Sequence, residues 1–289
     1  MIQMEQEAMS KHTTFRVGGP AAFYLVPESE EEIGLAVDFS KNKGLPCYPI
    51  GKGSNLLVSD KGYEGVIIEI GSGLKRILIE EDGVVRAQAG ITLAKMSLEL
   101  AQKGLTGFEF ASGIPGTLGG AVTMNAGAYG GEIKDNISSA MVLTDTGDII
   151  EYDREQLALG YRTSRIQKES CMVMSAVFSF ERGDVSRIQD RMRELNERRR
   201  EKQPLEYPSA GSTFKRPEGY FAGKLIEDAG LRGYRVGDAQ VSKKHCGFVV
   251  NRGQATAAQI YELIQDVQKK VKEQFGIELE PEVRMLGKF

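Results

Sequence analysis

The chain has 289 residues, enough for a sizeable core and, at about 150 residues per domain, for about two compact units. Its 37 basic and 40 acidic side chains leave a formal net charge of -3, which excludes the electrostatic footprint of a general nucleic-acid binder or of a protein drawn to anionic membranes. The opening MIQMEQEAMS lacks the basic and apolar regions of an export signal, and no apolar run approaches the ~20 residues that span a bilayer, so a cytoplasmic protein is expected. Cys47, Cys171 and Cys246 are far apart and His12 and His245 lie at no ligand spacing from them, which argues against a disulfide framework or a metal site. Whatever chemistry occurs here is expected to borrow an organic cofactor.

Residues 29–44 predict a helix: Ser29 and Glu32 stand at capping-box spacing, Ile33, Ala36, Val37 and Ser40 share one side, and Gly44 ends it. LPCYPI and GVIIEI read as buried strands around the turn GKGSN, residues 51–55. GVVRAQAG alternates like a strand, and ITLAKMSLELAQKG predicts a helix capped by Thr92 and stopped by Gly104. SAMVLTDTGDIIEY reads as a hairpin and CMVMSAVFSF as a strand. Over 184–203, Ile188, Met192, Leu195 and Arg199 form one stripe, while Asp190, Glu194, Glu197 and Glu201 interleave with basic residues; a solvated linker helix accounts for this better than a nucleic-acid helix. Pro204 stops it, and a domain boundary is placed there. TAAQIYELIQDVQKKVKEQFG predicts a long helix, and LEPEVRML a closing strand.

Two stretches could carry chemistry. GKGSN offers a nest of backbone N–H groups to a phosphate, although a plain β-turn accounts for it better when it is taken alone. GIPGTLGGAVTMNAGAYGG, residues 113–131, combines Gly113, Gly116, Gly119, Gly120, Gly127, Gly130 and Gly131 with neutral hydrogen-bonding groups on Thr117, Thr123 and Asn125 and apolar walls from Ile114, Leu118, Val122 and Met124. Bare backbone of this kind lets a partly flat, partly anionic ligand reach main-chain amides; a glycine-rich loop packed for structural reasons is the alternative.

HTTFRVGGP (12–20), GKGSN, GIPGTLGGAVTMNAGAYGGE, GYRTSR (160–165), SAGSTFKRP (209–217) and LEPEVRMLG (279–287) occur in an order and spacing that resemble the UDP-N-acetylenolpyruvoylglucosamine reductase (MurB) family of flavoenzymes, along nearly the whole chain. The resemblance implies an α/β (α+β) fold: a two-lobed FAD-binding unit of the vanillyl-alcohol oxidase type, with lobes at 1–71 and 72–182, then a linker helix at 183–204 and a substrate-binding domain at 205–289. It implies reduction of an enolpyruvyl ether on a UDP-sugar to UDP-N-acetylmuramate for peptidoglycan, with NADPH as reductant and non-covalent FAD. The partners expected are the UDP-sugar and NADPH, not nucleic acid or membrane; the sequence leaves the oligomeric state open, with a monomer favoured.

By the same resemblance, Ser212 is the proton donor, and Arg162 and Glu282 flank the substrate carboxylate. Gly51, Lys52, Gly53, Ser54, Asn55 and Leu56, with Gly113, Ile114, Pro115, Gly116, Gly119, Gly120, Ala121, Asn125 and Ala126, line the FAD. Lys215, Arg216 and Lys224 are the substrate-binding cations. The chain is similar to the family's shorter form, in which the loop that brings a tyrosine over the diphosphate is absent, and Tyr152, Tyr161, Tyr207 and Tyr234 stay unranked for that job. Outside the resemblance, Arg162 and Glu282 read equally as structural ion-pair residues. A flavin oxidase of a small alcohol or hydroxy acid, or a non-catalytic nucleotide-sugar binder, stands as the alternative function.

Overall fold

Several helices of this chain begin where a short polar side chain takes over an orphan amide just ahead of an apolar stripe. In the computed structural model, which describes residues 1–71 and 73–289, β1 (Ile2–Ala8) and β2 (Pro20–Val26) precede α1 (Glu30–Lys43). Ser29 accepts the Glu32 N–H, Ile33, Ala36, Val37 and Ser40 are buried, and Gly44 closes α1 at φ 64°. β3 (Cys47–Ile50), β4 (Leu56–Val58) and β5 (Tyr63–Glu69) follow, then β6 (Ile77–Ile79) and β7 (Val84–Gln88). Ser72, where the second lobe is expected to begin, lies outside the described residues. α2 (Leu93–Gln102) is capped by Thr92, which accepts the Lys95 N–H, and leads into β8 (Leu105–Thr106).

The glycine-rich segment is not bare loop. It folds into α3 (Leu118–Met124) and the short pair β9 (Gly127–Ala128) and β10 (Gly131–Glu132). The expected hairpin is β11 (Ile137–Leu143) and β12 (Ile149–Asp153); α4 (Arg165–Lys168), β13 (Met172–Ser179) and β14 (Glu181–Arg182) come next, then α5 (Val185–Lys202). Among the described residues, β12, β11, β13, β7 and β6 form one sheet in that order. Behind it Phe108 meets the edges of Phe110, Phe178 and Phe180 at centroid distances of 5.4, 6.0 and 5.8 Å, the T-shaped geometry that aromatic quadrupoles favour.

The last part holds β15 (Ser209–Ser212), α6 (Ala222–Asp228), β16 (Arg235–Val236), β17 (Ala239–Val241), β18 (Phe248–Asn251), α7 (Ala257–Phe275) and β19 (Arg284–Leu286). The closing strand is shorter than LEPEVRML predicts. Pro281 has no N–H for a ladder and makes only an isolated bridge with Phe214, so regular pairing, parallel to β4, starts at Arg284 opposite Leu56.

The chain resolves into two compact units assembled from separated segments: Met1–Met4, Tyr24–Lys52 and Gly65–Arg199, and Glu5–Phe23, Gly53–Glu64 and Arg200–Phe289. The division falls inside GKGSN, between Lys52 and Gly53. In the second unit α7 buries Ile260, Leu263, Ile264, Val267 and Val271 in a core shared with Phe15, Leu57, Ile226 and Leu279. No helix among the described residues is long and apolar enough to cross a membrane.

A remote carboxylate completes the start of α7. Besides the reciprocal Thr256–Gln259 box, Asp60 accepts from the Ala257 and Ala258 N–H groups, both at 2.8 Å. Asp60→Ala should lower the unfolding free energy by about 1–2 kcal/mol, and Asp60→Asn by less, as read from urea denaturation of the FAD-loaded protein.

Candidate functional site

The glycines of the 113–131 segment do two different jobs. A Cβ on Gly119 would lie 2.9 Å from the Ala89 Cβ, one on Gly127 would lie 2.6 Å from the Glu132 Cγ, and Gly113 and Gly131 are pressed by Asn196 and Phe110. Those four are small because the protein's own atoms crowd them. Gly120 has only the Thr117 hydroxyl, at 3.9 Å, and Gly130 has nothing within 4 Å. Gly130 is exposed and its φ of 90° itself calls for glycine, whereas Gly120, inside α3, opens onto space that a ligand could use. In GKGSN, Gly51 is crowded by the Thr117 hydroxyl and Gly53, at φ 57°, by the His12 carbonyl, so both glycines answer to protein neighbours. Lys52 is exposed, Ser54 half-buried, and Leu56 buried in β4.

Asn125 ends α3 in the left-handed conformation at φ 46° and is fully buried. Its amide donates to Glu132 Oε2 at 2.9 Å and to the Gly160 carbonyl at 3.0 Å, and its oxygen accepts the Lys134 N–H at 2.9 Å. The side chain therefore ties the wall of the segment to GYRTSR. Burial pushes the Glu132 carboxyl up, but hydrogen bonds from Lys134 and Asn125 outweigh this and hold it below the usual carboxylate range.

GYRTSR is a tight turn in which Gly160 and Thr163 exchange backbone bonds of 3.0 and 3.3 Å. Arg162 sits in it at φ 55°, a left-handed conformation that costs a bulky residue on the order of 1–3 kcal/mol and collects at functional sites. Its guanidinium is half-buried, donates to the Gly127 carbonyl at 3.1 Å, and lies 5.3 Å from the Tyr161 ring.

One residue of this region stands on a helix stripe in the sequence and is not among the site candidates read there. Arg199 closes the stripe of α5 on which Ile188 and Leu195 are buried, and it is itself half-buried, against Gly113. Burial pushes its guanidinium below the usual arginine range, with Tyr129 opposing. Asn196, one turn back, donates to the Ser112 hydroxyl at 3.2 Å. Arg199 makes no hydrogen bond or ion pair among the described residues. The signal was present: a cation on an apolar stripe is either snorkelling or reserved for an anion.

In the second unit, β15 meets β18 through a bulge, since Ser209 faces Val250 but Ser212 faces Phe248. Gly211, at φ 76°, turns the extra residue. Beyond it Thr213 is wholly buried: its N–H donates to the Gly247 carbonyl (2.8 Å), its hydroxyl accepts the Val249 N–H (2.9 Å), and its carbonyl accepts the Glu282 N–H (2.8 Å). The Glu282 carbonyl in turn accepts from Asn55 Nδ2 at 3.0 Å, and the Asn55 carbonyl accepts the Arg284 N–H at 3.0 Å. Ser212, Glu282 and Asn55, scattered in sequence, thus meet at one backbone crossing. Ser212 is exposed and Glu282 half-buried.

The three candidate substrate cations are less concentrated. Lys215 pairs with Glu280 and Lys224 with Asp228, while Arg216 lies 4.0 Å over the Phe221 ring and donates to the Tyr220 carbonyl at 3.3 Å.

Residues 21–153 match the FAD binding domain family, and residues 203–286 match the UDP-N-acetylenolpyruvoylglucosamine reductase C-terminal domain family. The mixed helix and sheet fold, with an FAD-binding unit followed by this second domain, defines an FAD-containing oxidoreductase. UDP-N-acetylenolpyruvoylglucosamine reductase of Lachnoclostridium phytofermentans is 54% identical, over 97% of this chain and 92% of that protein; that of Agathobacter rectalis is 53% identical, over 99% and 94%. The crystal structure of the reductase from Thermus caldophilus superposes with a TM-score of 0.85 at 35% identity, covering 99% of this chain and all of that one. The chain belongs to the UDP-N-acetylenolpyruvoylglucosamine reductase (MurB) family.

The open face at Gly120 gives a test with opposite signs. Gly120→Ala should stabilise the FAD-free protein, by up to about 1 kcal/mol through helix propensity. If that face meets the cofactor, the same methyl should weaken FAD binding about tenfold or more. Thermal melts of the FAD-free protein and FAD titration by flavin fluorescence read the two effects separately.

Proposed function

We propose that the chain reduces the enolpyruvyl ether of UDP-N-acetylenolpyruvoylglucosamine to the lactyl ether of UDP-N-acetylmuramate, a step toward peptidoglycan, with NADPH as the source of reducing equivalents. The observation that carries this reading is the Thr213 crossing, which holds the residue bearing the exposed Ser212 hydroxyl next to the backbone of Glu282.

The residues present suit FAD. The open face of Gly120 leaves room for a flat ligand against backbone, and the half-buried Arg199 makes no hydrogen bond or ion pair among the described residues, so an anionic part of the cofactor would complete it. Gly51 to Leu56 and the 113–126 stretch would hold the rest, with Asn125 acting through the order it imposes on the wall. FAD, when bound, supplies the hydride, which NADPH renews.

The protein has three tasks. The carbon next to the substrate carboxylate needs a proton as the neighbouring vinyl carbon is reduced, and Ser212 Oγ donates it. Charge builds on that carboxylate at the same moment. Arg162, fixed by its turn and by the Gly127 carbonyl, neutralises it without reorganising, which is where preorganised charge is worth most. Glu282 returns a proton to the Ser212 oxygen. Arg216 and Lys215 approach the diphosphate, Lys215 by exchanging Glu280 for phosphate, and Lys224 does the same by exchanging Asp228.

Ser212→Ala tests the division of labour. In anaerobic stopped flow, NADPH should bleach the flavin of the variant at nearly the parent rate, whereas colour recovery with the enolpyruvyl sugar should slow by about 10²–10⁴-fold. Equal slowing of both halves would remove Ser212 from the proton step.

A further inference from the structure

His245 is a half-buried polar side chain of the second unit for which the scheme above has no use. It precedes β18 and leans edge-on against Phe248, with ring centroids 5.0 Å apart. Phe248 is the residue directly opposite Ser212 across the β15–β18 ladder, and cross-strand partners share a face of the sheet. The imidazole also lies against the first turn of α6, where a Cβ on Gly223 would come 3.3 Å from His245 Cε1.

Its two nitrogens are in different situations. Nδ1 accepts the Gly247 N–H at 3.1 Å, so it carries no proton, and in the neutral ring the proton resides on Nε2. Burial holds the imidazole below the usual histidine range, and the Arg232 guanidinium pushes the same way. Nε2–H makes no hydrogen bond among the described residues, and it is not sealed from solvent. Lys243 and Lys244 immediately precede His245 in sequence and Arg232, ahead of β16, acts on its ring; Glu227 pairs with Arg232, and Asp228 with Lys224 on the adjoining helix. A neutral ring here adds direction rather than charge.

We infer that His245 is a substrate-contacting residue whose Nε2–H donates to a diphosphate oxygen of the UDP-sugar, on the Ser212 face of the second unit. This rests on the reading of the chain as a UDP-sugar reductase. It supplies an anchor for the diphosphate that does not require the Lys215–Glu280 or Lys224–Asp228 pair to break.

Two substitutions separate the nitrogens. His245→Asn keeps an acceptor near the Nδ1 position and loses the Nε2 donor, while His245→Gln can place an N–H near Nε2. With FAD content and melting temperature as checks on folding, His245→Asn should weaken UDP binding about 10- to 100-fold, the loss of a hydrogen bond to a charged group, and His245→Gln should stay within about threefold of the parent. UDP binding by His245→Asn within threefold of the parent, or a loss by His245→Gln equal to that of His245→Asn, would overturn the assignment. Should either variant fail to fold, the parent answers directly: the chain has two histidines, so the His245 Nε2–H resonance can be followed by nitrogen-resolved NMR. UDP should shift it downfield, and an unmoved signal at saturating UDP would overturn the assignment. A parent that binds no UDP at all would remove the UDP-sugar reading and this contact together; a parent that binds UDP with an unmoved His245 would remove only the contact.

Discussion

A single buried threonine ties together the segments of the second unit that carry Ser212, Glu282 and Val249. Thr213 spends its N–H on the strand of Gly247, its hydroxyl on Val249 and its carbonyl on Glu282. Each bond is worth only about 1 kcal/mol net, but leaving any of these buried groups unpaired would cost about 1–3 kcal/mol. The crossing is therefore hard to deform, and the residue on one side of it, Ser212, inherits a fixed place relative to Glu282. The bulge at Gly211 is part of the same device, because the extra residue is what leaves the Val249 N–H for the threonine hydroxyl rather than for a ladder carbonyl.

The first unit solves a parallel problem with different means. There a buried asparagine, Asn125, gathers Glu132, Lys134 and Gly160, and so couples the glycine-rich wall to the turn that presents Arg162. The positive φ of Arg162 is tolerated because the turn is pinned on both sides, by Gly160–Thr163 pairing and by the bond to Gly127. A charge held this way has little left to reorganise when substrate charge changes, which is the property a reductase of an anionic substrate needs.

Much of the fold was legible because its signals are local. Ser29, Thr92, Gly44 and Gly276 mark helix ends through caps that involve neighbours within a few residues, and the α7 stripe is periodic enough to stand alone. What was not legible depends on partners remote in sequence. Asp60 caps a helix 197 residues away, the two units are woven from separated segments, and Thr213 looks like an ordinary strand residue until Gly247 and Glu282 are brought to it. Glycine content was read as ligand access throughout 113–131, yet at Gly113, Gly119, Gly127 and Gly131 the crowding atom is the protein's own; no pattern in the sequence separates these from Gly120. Arg199 was legible as an oddity on its stripe, and only its burial against Gly113 turns the oddity into a candidate anion site.

The central claim is that a hydroxyl held by the Thr213 crossing delivers the proton to the reduced substrate. It is tested most directly by a crystal structure of the FAD-loaded enzyme with the enolpyruvyl UDP-sugar bound. The account predicts Ser212 Oγ within about 3.5 Å of the carbon that bears the carboxylate, the separation of a reactive approach, with the Thr213–Glu282 bond intact. Ser212 turned to solvent, with another group in contact with that carbon, would contradict it.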